Sequence, residues 1–576
     1  GRLDEQAARW IHLNLAEALA SGATDDPEAL FEHYLGSGER ERAAVHAVRA
    51  AQRAAGALAF ERAARFFRHA IELGASVTGE RWQLEASLGE ALANAGRPGE
   101  AAEAFQAAAA GADPARALEY QRRAAEQYLF GGHRELGLRA IRELSASVGI
   151  SVPSGARRAL LSLLLQRARI AIRGKRWRER PAEQIDPETL FRMDVCWTFA
   201  VGLTLIDYII GADFQARYLL LALDAGEPVR VARALAIESA FTASEGGRSR
   251  AQTDRLVADA AALAERLNSP RELGLAAVTA GSAAFLRGEW RRAADLCGQA
   301  EQVLTERCTG VLWETSTART FLMSSLVYLG ELALMRRRHG DLLIAAKERG
   351  DLLIATEAET RLNFAWLISD EPGEARRQVT GALSRWSTSG YYRQHYNGLL
   401  ALANIDLYEG DPEAAWARLE AEWPLLQRSL LPRVQVLRAE ALFLRARCAL
   451  GRADMLARRG GAGTEASRLL TIAERCAGRL DRERMPWIDP FAPLIRGVVA
   501  MHRKDRATAA ALLRLAADGF DRADMALYAA ATRRRLGDLQ GGEAGDRHVR
   551  EATRFMREQT VVDPDRLSAV LTPGLA

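Results

Sequence analysis

Residues 84–109 read LEASLGEALANAGRPGEAAEAFQAAA, and this stretch spells one helix-turn-helix hairpin. Small and large residues stand at fixed offsets: Gly89, then Gly96 seven residues on, Ala101 twelve on, Phe105 sixteen on and Ala108 nineteen on. The first glycine lets a neighbouring helix come close, and the second ends helix one where a left-handed backbone is needed. Gly96-Arg97-Pro98-Gly99 is therefore the turn. Ala101, Phe105 and Ala108 share one face of helix two, so the phenyl ring fills the cleft and the alanines keep it narrow. A single hairpin of this kind cannot bury its own apolar face and has to stack on copies of itself.

Copies run through the chain. Gly281, Gly288, Ala293, Cys297 and Ala300 repeat the offsets, as do Thr204, Gly211, Ala216, Leu220 and Leu223, with Pro228 placed where the second helix should stop. Gly497, Lys504, Ala509, Leu513 and Ala516 form another copy, and Ala51, Leu58, Ala63, Phe67 and Ala70 a further one. Weaker copies start at Ala125, Ser239, Asn363 and Ala403, and a degenerate one near Met323 keeps Gly330. Neighbouring starts lie 35 to 42 residues apart, a slightly stretched tetratricopeptide period. The fold expected is an all-α, right-handed solenoid of tetratricopeptide-like hairpins.

Composition agrees. A chain of 576 residues is too long for one compact core, and 48% hydrophobic with 26% charged residues excludes disorder. The formal charge of +4, from 78 basic and 74 acidic residues, gives no electrostatic reason to expect nucleic acid. Cys196, Cys297, Cys308, Cys448 and Cys476 are widely spaced without a Cys-x-x-Cys pair, which points to buried thiols in a reducing, cytoplasmic compartment. The apolar run Val195–Ala212 carries Asp207 in its middle, so it reads as a buried solenoid helix and no membrane span is expected. The chain opens on Gly1 without an initiator methionine, and a piece of a longer protein is expected.

Five regions follow. Residues 1–38 hold two helices without the hairpin pattern, the second capped by Asp26 before Pro27, and read as an adaptor to an upstream module. Residues 39–150 form a first run of hairpins. Residues 151–188 are an irregular joint, opened by Ser151-Val152-Pro153-Ser154-Gly155, with a basic helix at 156–173 and a positive stretch at 175–180. The basic segment Arg167–Arg180, with Trp177 in it, reads as a solvated helix end whose cations favour the carboxy-terminal dipole, the alternative being a contact with nucleic acid or an anionic membrane. Residues 189–540 form a second run, with a glycine-rich loop insertion at 452–464, and 541–576 a capping helix and a tail lying against it.

The search for chemistry returns little. The nine histidines show no metal-ligand spacing, and no nucleophile elbow, phosphate loop, dinucleotide fingerprint or kinase catalytic loop is present. Carboxylate pairs such as Asp25-Asp26 and Glu357 with Glu359 read as helix starts or solvated faces. No enzyme activity, cofactor or metal is expected, and this architecture is expected to offer an extended concave surface rather than a closed pocket. Polar and aromatic residues on first helices are the candidates for binding a partner: Asp194, Trp197 and Asp207, then Trp313 and Glu314, then Tyr392, His395 and Tyr396.

LFEHYLGSGERERAAVHAVRAAQRAAGALAFERAARFFRHAIEL at 30–73 resembles the start of the repeat region that follows the ATPase module of large bacterial signalling proteins. RMDVCWTFAVGL, GADFQARYLLLALDAGEPVRVARALA, ERCTGVLWE, DMALYAAATRRRLG and DPDRLSAVLTPG resemble the helical-repeat tail of bacterial serine/threonine protein kinases with an AAA-type (STAND) ATPase. Neither the kinase nor the ATPase motifs occur here, so the resemblance implies those activities only for a parent protein. It implies a scaffold and sensor arm that binds a protein partner or small effector on its concave face and regulates kinase or ATPase modules in cis. Alternatives are the effector-sensing arm of an ATPase-type transcriptional regulator and, from another class, a helical-repeat RNA binder. The latter would need a basic groove and regularly spaced base-reading side chains.

Overall fold

The computed structural model describes residues 4–22, 26–74, 80–153, 155–204, 207–386, 390–460 and 463–574. Asp25, Ser154, Leu205-Ile206 of the apolar run and Gly461-Ala462 of the glycine-rich loop lie outside them. The described residues are helical with no strand, and the chain is an all-α solenoid of tetratricopeptide-like hairpins. It divides into two compact units, residues 1–152 with 309–312 and 346–353, and the remainder.

Unit 1 contains α1 (Glu5–Ser21), α2 (Pro27–Ser37), α3 (Arg40–Gly56), α4 (Phe60–Glu72), α5 (Arg81–Asn94), α6 (Pro98–Gly111), α7 (Pro114–Phe130) and α8 (Arg134–Ser147). Each helix packs on the next, so a hairpin buries apolar surface both between its own two helices and against its neighbour. Asp26 and Asp113 cap α2 and α7, accepting from Glu28 N at 3.1 Å and Arg116 N at 3.1 Å ahead of a proline at the first helical position. In the α5–α6 hairpin Phe105 is fully buried with Ala101 and Ala108 beside it, which stabilises the pair by roughly 2–3 kcal/mol for the ring alone.

Unit 2 holds α9 (Ala156–Arg173), α10 (Pro187–Thr204), α11 (Tyr208–Ala225), α12 (Pro228–Ala243), α13 (Arg250–Leu267), α14 (Pro270–Leu286) and α15 (Trp290–Arg307). It continues with α16 (Leu312–Leu329), α17 (Leu332–Arg349), α18 (Leu352–Thr360), α19 (Phe364–Leu367), α20 (Pro372–Arg385), α21 (Arg393–Tyr408) and α22 (Pro412–Arg428). The first residue of α16, the last four residues of α17 and the first two of α18 fall in unit 1. The last helices are α23 (Gln435–Arg458), α24 (Thr464–Leu480), α25 (Phe491–His502), α26 (Arg506–Arg522), α27 (Ala526–Gln540), α28 (Gly542–Glu558) and α29 (Pro564–Leu571).

The turn position of the repeat is left-handed in nearly every copy: Leu58, Gly96, Gly132, Gly246, Gly288, Gly330, Asp370, Gly410 and Lys504 all have positive φ. The copy starting at Thr204 departs. Gly211 lies inside α11, whose start is set by Asp207 accepting from Ile210 N, so the turn comes four residues early. Gly211 serves close approach instead: a Cβ there would stand 3.0 Å from Thr204 N. Two further boundaries differ from the sequence expectation. Helix α23 continues through Arg458, because residues 452–458 are good helix formers and Arg452 is held by Glu413 and Glu465 at 3.1 and 2.8 Å. The tail helix α29 packs on α21 and α27, with Leu567, Val570 and Leu571 buried and Val570 O accepting from Arg447 Nη1 at 2.7 Å.

Unit 2 closes on itself. Gln435 N donates to Ser244 O at 3.2 Å, Ala333 N to Gln559 Oε1 at 3.3 Å and Val562 N to Ile368 O at 2.9 Å, each joining an early hairpin turn to a late segment. An aromatic column fills the space between: Trp290 stacks on Tyr328 at 3.9 Å, Trp487 meets Trp290 edge-on at 5.3 Å, and Phe491 meets Tyr528 at 5.6 Å. The interior of this unit is therefore packed, in place of the open concave surface that repeat architecture suggests.

Candidate functional site

First helices of successive hairpins in unit 2 are tied by arginine–carboxylate pairs. Asp194 on α10 takes two bonds from Arg230 on α12, at 2.9 and 2.7 Å. Arg233, one turn on, reaches Glu272 on α14 at 2.7 Å, and Arg271 on α14 reaches Glu314 on α16 at 2.9 Å. Glu272 and Glu314 are almost fully buried. Burial pulls the Arg233 guanidinium down, yet its bond to Glu272 outweighs this and holds it above the ordinary arginine range.

This ladder accounts for several sequence candidates. Asp194 and Glu314 are rungs of it. Trp197 is buried beneath the Arg233 guanidinium, between Tyr218 at 5.6 Å and Trp313 at 6.2 Å. Asp207 caps α11. Tyr392 is the N-cap of α21 and its N–H donates to His395 Nδ1 at 3.1 Å, closing a capping box. Trp313 and Tyr396 lead further inward.

Trp313 forms part of the wall of a cavity of about 150 Å³ lined by residues of α12, α14, α16, α21 and α23. Ile237, Phe241, Val278, Phe285 and Leu437 are among the apolar side chains that line it. One face is hydroxylic, since Thr317, Thr320 and Ser324 recur at i, i+3 and i+7 along α16. Its polar end is built from two ion pairs. Arg361 binds Glu440 through both terminal nitrogens at 3.0 and 2.6 Å, and Glu440 also accepts from the Tyr328 and Tyr396 hydroxyls. Arg393 binds Glu357 at 2.5 Å, and Asn397 Nδ2 adds a bond to the same carboxylate at 3.2 Å. Burial, and then Glu440, push the Tyr328 and Tyr396 hydroxyls well above the usual phenol range, so both stay protonated donors.

Sequence reasoning passed over Arg361, Glu440 and the α16 hydroxyls. Arg361 and Glu440 lie 79 residues apart, and no local pattern links them. The stretch Thr315–Ser325, whose hydroxyls recur along one helix with Arg319 as its single charge, was the available signal.

Among the described residues no group of three or more histidine, cysteine or acidic side chains is placed to hold a metal ion, and no helix is long and apolar enough to cross a membrane. No protein-family profile matches the chain, and no curated protein matches it in sequence. Solved structures with similar helical repeats include Rap protein complexed with Competence and Sporulation Factor, at 11% identity and a TM-score of 0.35, covering 77% of this chain and 99% of that one. The Cut9–Hcn1 hetero-tetramer of the APC/C is similar at 12% identity and a TM-score of 0.40, over 90% and 93% of the two chains. Ypp1 is similar at 10% and 0.34, over 99% and 90%.

Proposed function

We propose that the chain is a non-catalytic recognition arm, a repeat scaffold that senses an effector inside unit 2 and regulates signalling modules joined to it, of the kinase and ATPase kind that its sequence resembles. The observation that carries this is the cavity whose ionised groups are already committed to one another. Catalysis by acid, base or nucleophile needs a side chain free to exchange a proton or attack. Here Arg361 and Arg393 are held by Glu440 and Glu357, and among the described residues no histidine lines the wall. Such a site binds. The same economy weighs against base reading by successive repeats, because Arg230, Arg233 and Arg271 are spent on carboxylates of neighbouring first helices.

The test is made in cis. The chain is expressed with the modules encoded beside it, and ATP hydrolysis and phosphoryl transfer are compared with and without Ser282→Phe, which fills the cavity. A changed basal rate or a lost response to cell metabolites supports the arm. Identical rates and responses would rule out regulation through unit 2.

A further inference from the structure

Resting on that reading, we propose that the unit 2 cavity takes a neutral molecule about the size of one substituted ring, apolar over most of its surface and carrying one hydroxyl. Size comes first. A cavity of about 150 Å³, lined in part by Ile237, Phe241, Val278 and Phe285, has room for a benzene-sized guest.

Charge comes next. Arg361 with Glu440 and Arg393 with Glu357 leave the polar end without net charge, and a carboxylate or ammonium entering it would lose its hydration with no partner left to replace it. The polar group follows from the hydroxyl inventory. Thr279, Ser282 and Thr320 donate to carbonyls of their own helices, at 3.1, 2.8 and 2.9 Å, and keep only acceptor capacity. Thr317 differs: its residue is 5% exposed, its hydroxyl is buried, and it has no hydrogen-bond partner among the described residues. A ligand hydroxyl satisfies both sides, accepting from Thr317 and donating to the Thr320 oxygen one turn along the same wall.

Phenol, toluene and benzoate serve as probes, titrated calorimetrically into the full chain. Phenol should bind saturably, about tenfold or more tighter than benzoate. The near-isosteric Thr317→Val should weaken phenol about 5- to 10-fold while leaving toluene within about twofold. Ser282→Leu, which occupies the space, should abolish both; if that variant fails to fold, Thr317→Val decides alone. Absence of saturable phenol and toluene binding, benzoate binding as tightly as phenol, or equal losses of phenol and toluene in Thr317→Val would each overturn the assignment. None of these results bears on whether the arm regulates its neighbours, which the in-cis activity comparison reads separately.

Discussion

The Cβ that Gly89 lacks would stand 2.8 Å from the ring of Phe105, sixteen residues further along the chain. The same offset recurs where a Cβ on Gly281 would run into Cys297 Sγ and one on Gly497 would stand 3.1 Å from Leu513. The repeat is thus defined by a missing methyl group as much as by a present ring. Gly89→Ala and Gly281→Ala should each destabilise by about 1–3 kcal/mol through overpacking. Gly298→Ala, on the same helix as Cys297 but with nothing within 4 Å of the new Cβ, should be neutral or stabilising by up to about 1 kcal/mol. Thermal melting of the three variants checks this, and equal shifts in all of them would refute the contact.

Turn positions carry a different lesson. At offset seven, Leu58 and Lys504 adopt the left-handed backbone that Gly96 and Gly288 adopt freely. The repeat imposes the turn, and the residue type only sets its cost. Leu58 is also largely solvent-exposed, so its side chain contributes little there. Leu58→Gly should raise the stability of unit 1 by about 1 kcal/mol. A lower midpoint in urea would show that Leu58 is held by packing instead.

The arginine ladder makes a larger claim. Glu272 is almost fully buried and binds Arg233, whose side chain is 21% exposed, so Glu272→Ala leaves a largely buried guanidinium without its partner, at a cost of up to about 3–5 kcal/mol. The double variant Arg233→Met with Glu272→Leu should recover most of that loss, since an apolar pair of similar volume avoids the desolvation. A double-variant melting point no better than that of Glu272→Ala would place the role of Glu272 elsewhere.

The fold was legible because its period is local: glycine, turn and ring fall within about twenty residues, and backbone geometry alone dictates their spacing. The cavity was not. Arg361 meets Glu440, Gln435 meets Ser244 and Trp487 meets Trp290 only because unit 2 curls until late helices fill its own interior. That curl accumulates from small rotations between hairpins, which no single repeat encodes. Asp194, Trp197 and Glu314 stood out in the sequence as polar or aromatic residues on first helices, and the structure places all three in the joints between hairpins.

Thiol chemistry follows burial. Cys196, Cys297 and Cys448 are buried and pushed up to about 12, and Cys476 to about 11, in each case first by loss of solvation. Cys308 alone is half-buried. Native protein at neutral pH should therefore react with a thiol reagent at Cys308 and nowhere else on the minute scale, while the unfolded chain reacts at all five cysteines. Peptide mapping after alkylation reads the result, and fast labelling of Cys297 or Cys448 would show that their hairpins open.

Acid stability turns on Glu483, which clamps the closure of unit 2. It accepts from Arg438 at 2.6 Å and from Gln435 Nε2 at 3.0 Å, while Gln435 N holds Ser244 O. Burial pushes this carboxyl up, but the bonds from Arg438 and Gln435 pull it down further, leaving it below the ordinary glutamate value. A carboxyl depressed in the folded state contributes stability that is fully present above its unfolded pKa, near 4.5, and is lost as pH falls through the folded value. Glu483→Gln should lower stability by about 1–2 kcal/mol at pH 7. The gap between the wild-type and variant melting temperatures should then narrow steadily from pH 5 downward. A gap that stays constant to pH 3 would mean that Glu483 acts through shape, and that closure depends on the Trp290–Trp487 contact instead.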